Sequence, residues 1–435
     1  MTRQILPIAS LLMGSAFLLF AGGINGLILP VRGAAEGFST LSLGLLGTGW
    51  AIGYVLGCIV VPRLVARVGH VRSFSVMAAF AACAILSSLL IISPFAWIPL
   101  RTISGFCFAG AAMIVESWLN ERTDASSRGT VFGFYTMINL AATTAGQIVL
   151  GLGHVDGHLF FVIGAMFYAL ALVPTAVSSS ASPLPLVRSN LDIRALWRNS
   201  PVAVTAVLLI GISNSAFGTL AAVYATQIGL EIAAIALFTS VPILAGALMQ
   251  MPVGFMSDRM DRRIVLILVA LLAIAADAYF VLAQPSSATA LLVAAAVFGA
   301  SIFTMYPIIV AHANDHAEPD SYVQTSAGLL LLFGVGSIFG PLLAGVAMSS
   351  FGTRGLFITT VVTHILIVLY SLWRISRRGT VEDKHKTPFF VTPMARISTP
   401  QTMVLAPGNE DDDWLNQGEP LSEAASIGTG SHKSN

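Results

Sequence analysis

Charge is what this sequence has least of. Asp, Glu, Lys and Arg make up 10% of its 435 residues, where a soluble domain carries about a quarter. That shortage excludes an ordinary water-facing surface. The near balance of 22 Lys+Arg against 21 Asp+Glu excludes the basic patch that nucleic acid would need. Cysteine is scarce too: Cys58, Cys83 and Cys107 all sit in apolar runs, in no disulfide framework and no metal-ligand spacing. No Gly-x-x-x-x-Gly-Lys-[Ser/Thr] phosphate loop occurs, which excludes direct drive by ATP. Histidines are scattered; His312 and His316 lie four apart, but in an expected loop with Asp315 and Glu318, and chance spacing is the preferred reading. No enzyme activity, cofactor, metal or nucleic-acid partner is expected.

What is abundant is apolar sequence, 56% of the chain with a mean hydropathy of +0.83. A bilayer core about 30 Å thick needs roughly 20 apolar residues per helix, and such runs recur twelve times. They fall at about 7–29, 41–61, 73–92, 97–118, 130–151 and 159–177, then at about 202–223, 233–253, 264–283, 290–311, 323–347 and 355–373. They lack the alternation of a membrane barrel. The first follows only Met1–Leu6 without a persuasive small-residue cleavage site, so it reads as an uncleaved helix. Positive charge sets the orientation. Arg63, Arg67, Arg72, Arg122, Arg128, Arg188, Arg194, Arg198, Arg259, Arg262 and Arg263 fall on the side of Arg3 and of the basic residues from Arg374 onward. The opposite loops keep only Arg32 and Arg354. Both termini are therefore expected in the cytoplasm, and the expected location is a bacterial inner membrane.

The expected fold is an all-α membrane protein, twelve transmembrane helices in two pseudo-symmetric six-helix bundles, over 1–177 and 201–373. A cytoplasmic linker, 178–200, is rich in Ser and Pro and then basic. From 374 to 435 the chain turns polar, with Pro388, Pro393, Pro400 and Pro407 and an acidic run Glu410–Asp413. Such a segment has too little apolar surface to order itself, so a disordered, dispensable tail is expected. The alternative is an autoinhibitory or partner-binding tail, motivated by the acidic cluster around Trp414.

The two halves echo one another. Asn25-Gly26 and Gly37 align with Phe217-Gly218 and Gly229 at one constant offset, and Gly146-Gln147 aligns with Gly340-Pro341 at nearly the same one. Duplicated helical halves suit secondary transporters, in which two bundles rock about a shared site. Twelve helices in two halves, with a basic loop after the second and eighth, resemble the major facilitator superfamily. Its signature in that loop is a Gly, Asp-Arg, a Gly and a basic pair. Gly254, Asp258, Arg259, Arg262 and Arg263 reproduce it, with Asp261 where Gly is usual. In the first half Arg67, Gly69 and Arg72 match, but Ala66 replaces the Asp and Pro62 the Gly. Val115-Glu116-Ser117 with Arg128-Gly129, and Phe303-Thr-Met-Tyr-Pro307, resemble the YcaD-like branch. The resemblance covers roughly residues 5–375.

It implies secondary transport, with gating residues in the basic loops. In the family the loop Asp caps a helix start in the opposite half, where free N–H groups and the helix dipole favour a carboxylate. That implies Asp258 at the start of the fifth helix, near Arg128. Glu116 is a candidate partner for Arg67, Arg72 or Arg128, and Asp315 for Arg259 or Arg262. A latch is the reading preferred for Asp258 and Arg259, not for Asp315; the alternative is a positive-inside anchor. Gly49, Gly53 and Gly57 in the second span, and Gly336, Gly340-Pro341 and Gly345 in the eleventh, offer smooth surfaces. By family analogy these spans face each other, so they slide or pack statically. Gly146-Gln147 stands where many family antiporters carry Gly-Pro, which argues against drug export.

A charge inside the bilayer costs about 2.5–3.5 kcal/mol and needs a reason. Arg101 is read as cargo-facing, or else as a snorkelling side chain. Asp277 has His364 as its candidate partner, for proton relay or for a structural hydrogen bond; Glu116 is the other carboxylate within a span. On the fifth span Tyr135, Asn139, Thr143 and Gln147 recur every four residues as one polar stripe. The stripe, with Asn25, Asn214 and Tyr306, is expected to line a cavity; interhelical hydrogen bonding is the alternative. The function expected is proton-coupled alternating-access transport of a small neutral, amphipathic or monoanionic solute by a monomer embedded in the lipid bilayer. The alternative is a non-transporting receptor or regulator that signals through the tail.

Overall fold

The computed structural model describes residues 9–123, 128–177, 192–317 and 321–377, together with 386–387, 389, 395 and 398–405. The expected linker over 178–191, the side chain of Arg128 and the acidic run Glu410–Asp413 lie outside the described residues. The first half consists of α1 (Ala9–Ala35), α2 (Thr40–Val68), α3 (His70–Leu90), α4 (Pro94–Glu121), α5 (Arg128–Ile148) and α6 (Leu159–Leu170). The second consists of α7 (Pro201–Gln227), α8 (Ile232–Arg259), α9 (Arg262–Ala278), α10 (Ala288–Asn314), α11 (Tyr322–Phe351) and α12 (Gly355–Ile375). The protein is thus an all-α membrane protein of two six-helix bundles.

Local chemistry starts and stops these helices. Pro94 and Pro201 fill first-turn positions that need no N–H donor. Ser39 accepts from Ser42 N at the head of α2, and Ser200 from Ala203 N at the head of α7. Asp261 accepts from Arg263 N at the head of α9 and also pairs with the Arg263 guanidinium at 2.7 Å. Burial alone would raise the Asp261 carboxyl, but the hydrogen bonds and charge of Arg263 outweigh it and hold it below its ordinary value. Gly37 and Gly229, paired by the sequence repeat, turn α1 into α2 and α7 into α8 with φ of +77° and +84°. A side chain is strained there, so the same turn occurs in both halves for the same reason.

Packing repeats as well. α1 lies on α5 as α7 lies on α11, and α2 lies on α4 as α8 lies on α10. Outward-facing apolar side chains such as Leu90, Phe95 and Leu282 are more than 80% exposed, a surface suited to acyl chains and not to water. The Gly49, Gly53 and Gly57 stripe packs on α4, against Ile98, Thr102 and Phe106 within the same half. Static packing is therefore its role here. The seam between halves uses other glycines. Gly44 meets the Pro341 carbonyl and Gly345, while Gly47 meets Thr219. Thr40 Oγ1 and Ser349 Oγ lie 2.7 Å apart, and Thr48 donates to Ile338 O. The bonds that Thr40, Thr48 and Ser240 make between the halves, at this seam and between α5 and α8, lie toward the end opposite the Arg-rich loops.

At the Arg-rich end a piece of the tail fills the gap. A single helical turn, Pro400–Leu405, sits between α4 and α11, and Ser398, Thr399 and Thr402 are 1% exposed or less. This differs from the expectation of an unordered tail. The polar average over the segment hides Ser398-Thr399-Pro400-Gln401-Thr402-Met403, an uncharged stretch whose hydroxyls find buried partners.

Candidate functional site

The two bundles enclose a cavity of about 120 Å³. The first half contributes Asn25 from α1, Trp50 from α2, Arg101 from α4, Thr143 and Gln147 from α5, and Tyr168 from α6. The second contributes mainly apolar groups, among them Phe217, Ile243 and Phe303, with Thr239 as its hydroxyl. Glycines at 22, 23 and 26 leave the α1 wall without side chains, so the polar groups around them reach the space.

Arg101 is the charge of this cavity. It is 5% exposed, and among the described residues no carboxylate lies within 4 Å of its guanidinium. Tyr168 lies close enough to interact with both Arg101 and Asn25. Asn25 Oδ1 and Thr143 Oγ1 are buried without a hydrogen-bond partner. Buried polar atoms are normally satisfied; these face space that a polar solute can fill. Ser240 Oγ donates to Gln147 Oε1 at 2.9 Å and ties α8 to α5 at the cavity edge. A snorkelling Arg101 would reach for the interface, whereas this one lines an enclosed space.

The helix-five stripe divides along its length. Thr143 and Gln147 reach the cavity, but Tyr135 and Asn139 are absent from its lining. Asn139 Oδ1 accepts from Ser15 Oγ at 2.9 Å, and Tyr135 donates to Glu116 at 2.8 Å. Nearer the Arg-rich end the same face meets Ser15 of α1 and Glu116 of α4 instead of space. Asn214 and Tyr306 are also buried away from the lining. Asn214 Nδ2 makes a long 3.5 Å contact with Ile302 O, and Tyr306 packs edge-on against Phe333. Trp50, Phe108, Tyr168, Phe217 and Thr239 line the cavity with no polar periodicity or charge to mark them in sequence.

The gating candidates are arranged differently from the latch expectation. Asp258 accepts from Phe389 N at 3.0 Å and lies 3.6 Å from Arg262, and Arg259 stacks 3.3 Å over its neighbour Phe255; the residues just before α5 lie outside the described residues. Arg262 forms the pair not preferred from sequence, with Asp315 at 2.6 Å, both side chains buried. Arg67 and Arg72 are exposed, with no ion pair among the described residues. Glu116 has no cation partner among the described residues. Its oxygens accept from Tyr135, Thr399 and Thr402. Tail groups take these acceptor sites: Phe389 N donates to Asp258, and the hydroxyls of Thr399 and Thr402 donate to Glu116.

Asp277 and His364 meet at 2.7 Å, both fully buried. Thr360 donates to the other Asp277 oxygen, and Ser213 Oγ lies 2.9 Å from His364 Nε2. This knot joins α7, α9 and α12 inside the second bundle and does not touch the cavity.

A family model described as Major Facilitator Superfamily matches residues 11–239 and 203–408. The uncharacterised MFS-type transporter YcaD of Salmonella newport (strain SL254) is 26% identical over 371 residues, 84% of this chain and 95% of that protein. Its counterpart in Salmonella arizonae is 25% identical over the same share. Among solved structures, the nucleoside transporter NupG superposes with a TM-score of 0.75 over 86% of this chain and 100% of its own, at 13% identity. A bacterial homologue of the human lysosomal transporter Spinster, inward-facing and unoccupied, gives 0.68 over 92% and 98%, at 14% identity. At these identities the likeness to the solved structures is one of fold.

Proposed function

Because the chain belongs to the major facilitator superfamily and is a membrane transporter, we propose that it moves a small amphipathic monoanion by alternating access, coupled to protons. The observation that carries the cargo class is Arg101. An enclosed guanidinium without a carboxylate neighbour is costly in a low-dielectric site, and a carboxylate or similar monoanion relieves that cost on binding. Asn25, Thr143 and Tyr168 supply hydrogen bonds around the charged group, while Trp50, Phe108, Phe217 and Phe303 suit an apolar body. This arrangement favours an acid with an aromatic or aliphatic portion over a sugar.

With the termini in the cytoplasm of a bacterial cell, the sealed seam faces outward and the Arg-rich end inward. Glu116 is the proton-carrying candidate: it sits in a span, has hydroxyl neighbours and no cation among the described residues, and becomes accessible when the inner mouth opens. Asp277 and His364 are sealed from the cavity and serve as a structural brace. In the opposite conformation the Arg-rich ends approach, and Asp258 then meets the first turn of α5. Mass spectrometry of medium and cell extract from null and overexpressing strains identifies the cargo. Arg101→Ala should reduce its transport at least about tenfold, as expected for loss of a charge-assisted hydrogen bond, with membrane insertion intact. Arg101→Lys should retain part of it. A monoanion carried normally by Arg101→Ala would refute the assignment.

A further inference from the structure

The inner mouth of this transporter is occupied by its own chain. Ser398, Thr399, Gln401, Thr402 and Met403 are all at most 3% exposed, lodged between α4 of one half and α11 of the other. Thr399 and Thr402 donate to the two oxygens of Glu116, one bond from Thr399 to Oε2 and one of 2.6 Å from Thr402 to Oε1. Upstream, the same segment is anchored on the second half. Thr387 donates from its N and Oγ1 to Asp315 Oδ1 at 2.8 and 2.9 Å and accepts from Arg262 at its carbonyl. Phe389 N donates to Asp258, and its ring fills the place that a Cβ on Gly254 would take. Lys386 Nζ reaches Met260 O at 3.0 Å.

These partners are the residues whose rearrangement alternating access requires. Asp258 cannot meet α5, and Glu116 cannot exchange its proton with the cytoplasm, while the segment holds both. We propose that the described tail residues Lys386, Thr387, Phe389 and 398–405 form an autoinhibitory stopper, which holds the inward-facing conformation with its mouth blocked and must withdraw before each half can move. The proposal rests on the alternating-access reading above. It needs no outside partner: the segment's hydroxyls donate to a buried carboxylate whose other donor among the described residues is Tyr135.

Cys58 provides the test. It is buried on α2 and lies near Tyr54 and Glu116, behind the stopper as seen from the inner side. With Cys83 and Cys107 changed to serine, inside-out vesicles are treated with a membrane-impermeant maleimide and the rate of Cys58 labelling is measured. In the full chain labelling should be slow. The double variant Thr399→Glu/Thr402→Glu sets carboxylates against Glu116 and should speed labelling at least about tenfold, the population change expected from losing two hydrogen bonds to a charged group. Removal of 386–435 should do the same, and Thr399→Val/Thr402→Val should act in the same direction without added charge. Equal rates in the full chain and in all folded variants would overturn the proposal. A separate Thr40→Cys/Ser349→Cys pair reports the outer seam by oxidative cross-linking. If that seam opens and closes while Cys58 ignores the tail, the stopper falls and alternating access stands. If tail release unmasks Cys58 but the seam never opens, alternating access falls and takes the regulatory role of the stopper with it, leaving only a covered mouth.

Discussion

Replacing Gly44 with alanine tests how the two halves seal against each other. The added Cβ would lie 2.3 Å from the Pro341 carbonyl oxygen and 3.3 Å from the Gly345 Cα. To regain ordinary contact, α2 and α11 must part by about 1 Å at that level. The obstacle is backbone, which cannot rotate aside as a side chain does, and the same helices are tied nearby through Thr48 and Ile338. Overpacking a close interface costs about 1–3 kcal/mol. That cost burdens only the conformation sealed at this end, because the alanine methyl stands free once the helices separate. The equilibrium should therefore move by about 5- to 150-fold toward the conformation open at this end. The assay is disulfide formation between Thr40→Cys and Ser349→Cys, whose native hydroxyl oxygens lie 2.7 Å apart, with the native cysteines replaced. Gly44→Ala should cut cross-linking at least about fivefold. Gly133→Ala, where a Cβ meets nothing within 4 Å, should leave it unchanged. Undiminished cross-linking in Gly44→Ala would show that the seam is not set by this contact.

Other perturbations separate structural from transport roles. Asp277→Ala leaves His364 and Thr360 without their buried partner and should lower stability by about 3–5 kcal/mol, read as a lower melting temperature in detergent; an unshifted melting curve would rule out the brace. Asn139→Ala breaks the bond from Ser15 and the hydrogen-bond contact with Tyr135 and should cost about 1–3 kcal/mol with transport preserved; lost transport at unchanged stability would return Asn139 to the cavity. Asp261→Ala removes the α9 cap and should cost about 1 kcal/mol near neutral pH. Since the folded state holds this carboxyl below its ordinary 3.8, that contribution is complete above this pH and fades as pH falls through the depressed value. The difference between Asp261→Ala and the parent should shrink on acidification, which thermal melts across pH 3–7 would measure, about one unit per step.

Much of the fold was legible because membrane burial leaves a plain mark: long apolar runs, basic loops and glycines repeated at one offset. Arg101, Asn25, Thr143 and Gln147 were legible for a related reason, since polar atoms are costly in hydrocarbon and therefore conspicuous. Periodicity places Tyr135 and Asn139 on the same face as Thr143, but it does not say what that face meets at each depth. For two of the four residues the neighbour is a helix. Asp258 was read by its loop, yet the donor it meets is Phe389 N, in a tail to which the loop gives no pointer. The tail was illegible because Thr399 and Thr402 have no signature of their own; their role exists only opposite Glu116, far away in sequence.

The Asp277–His364 knot also bears on how the protein is made. Its two members are 87 residues apart, and at about 5–20 residues per second the ribosome delivers the histidine several seconds after the carboxylate. Throughout that interval α9 carries into the membrane a group that costs about 2.5–3.5 kcal/mol unaccompanied. The rest of α9 is apolar enough to outweigh that cost, so the helix enters with its carboxylate unaccompanied, and the second bundle is completed only when α12 brings His364 and Thr360 to it.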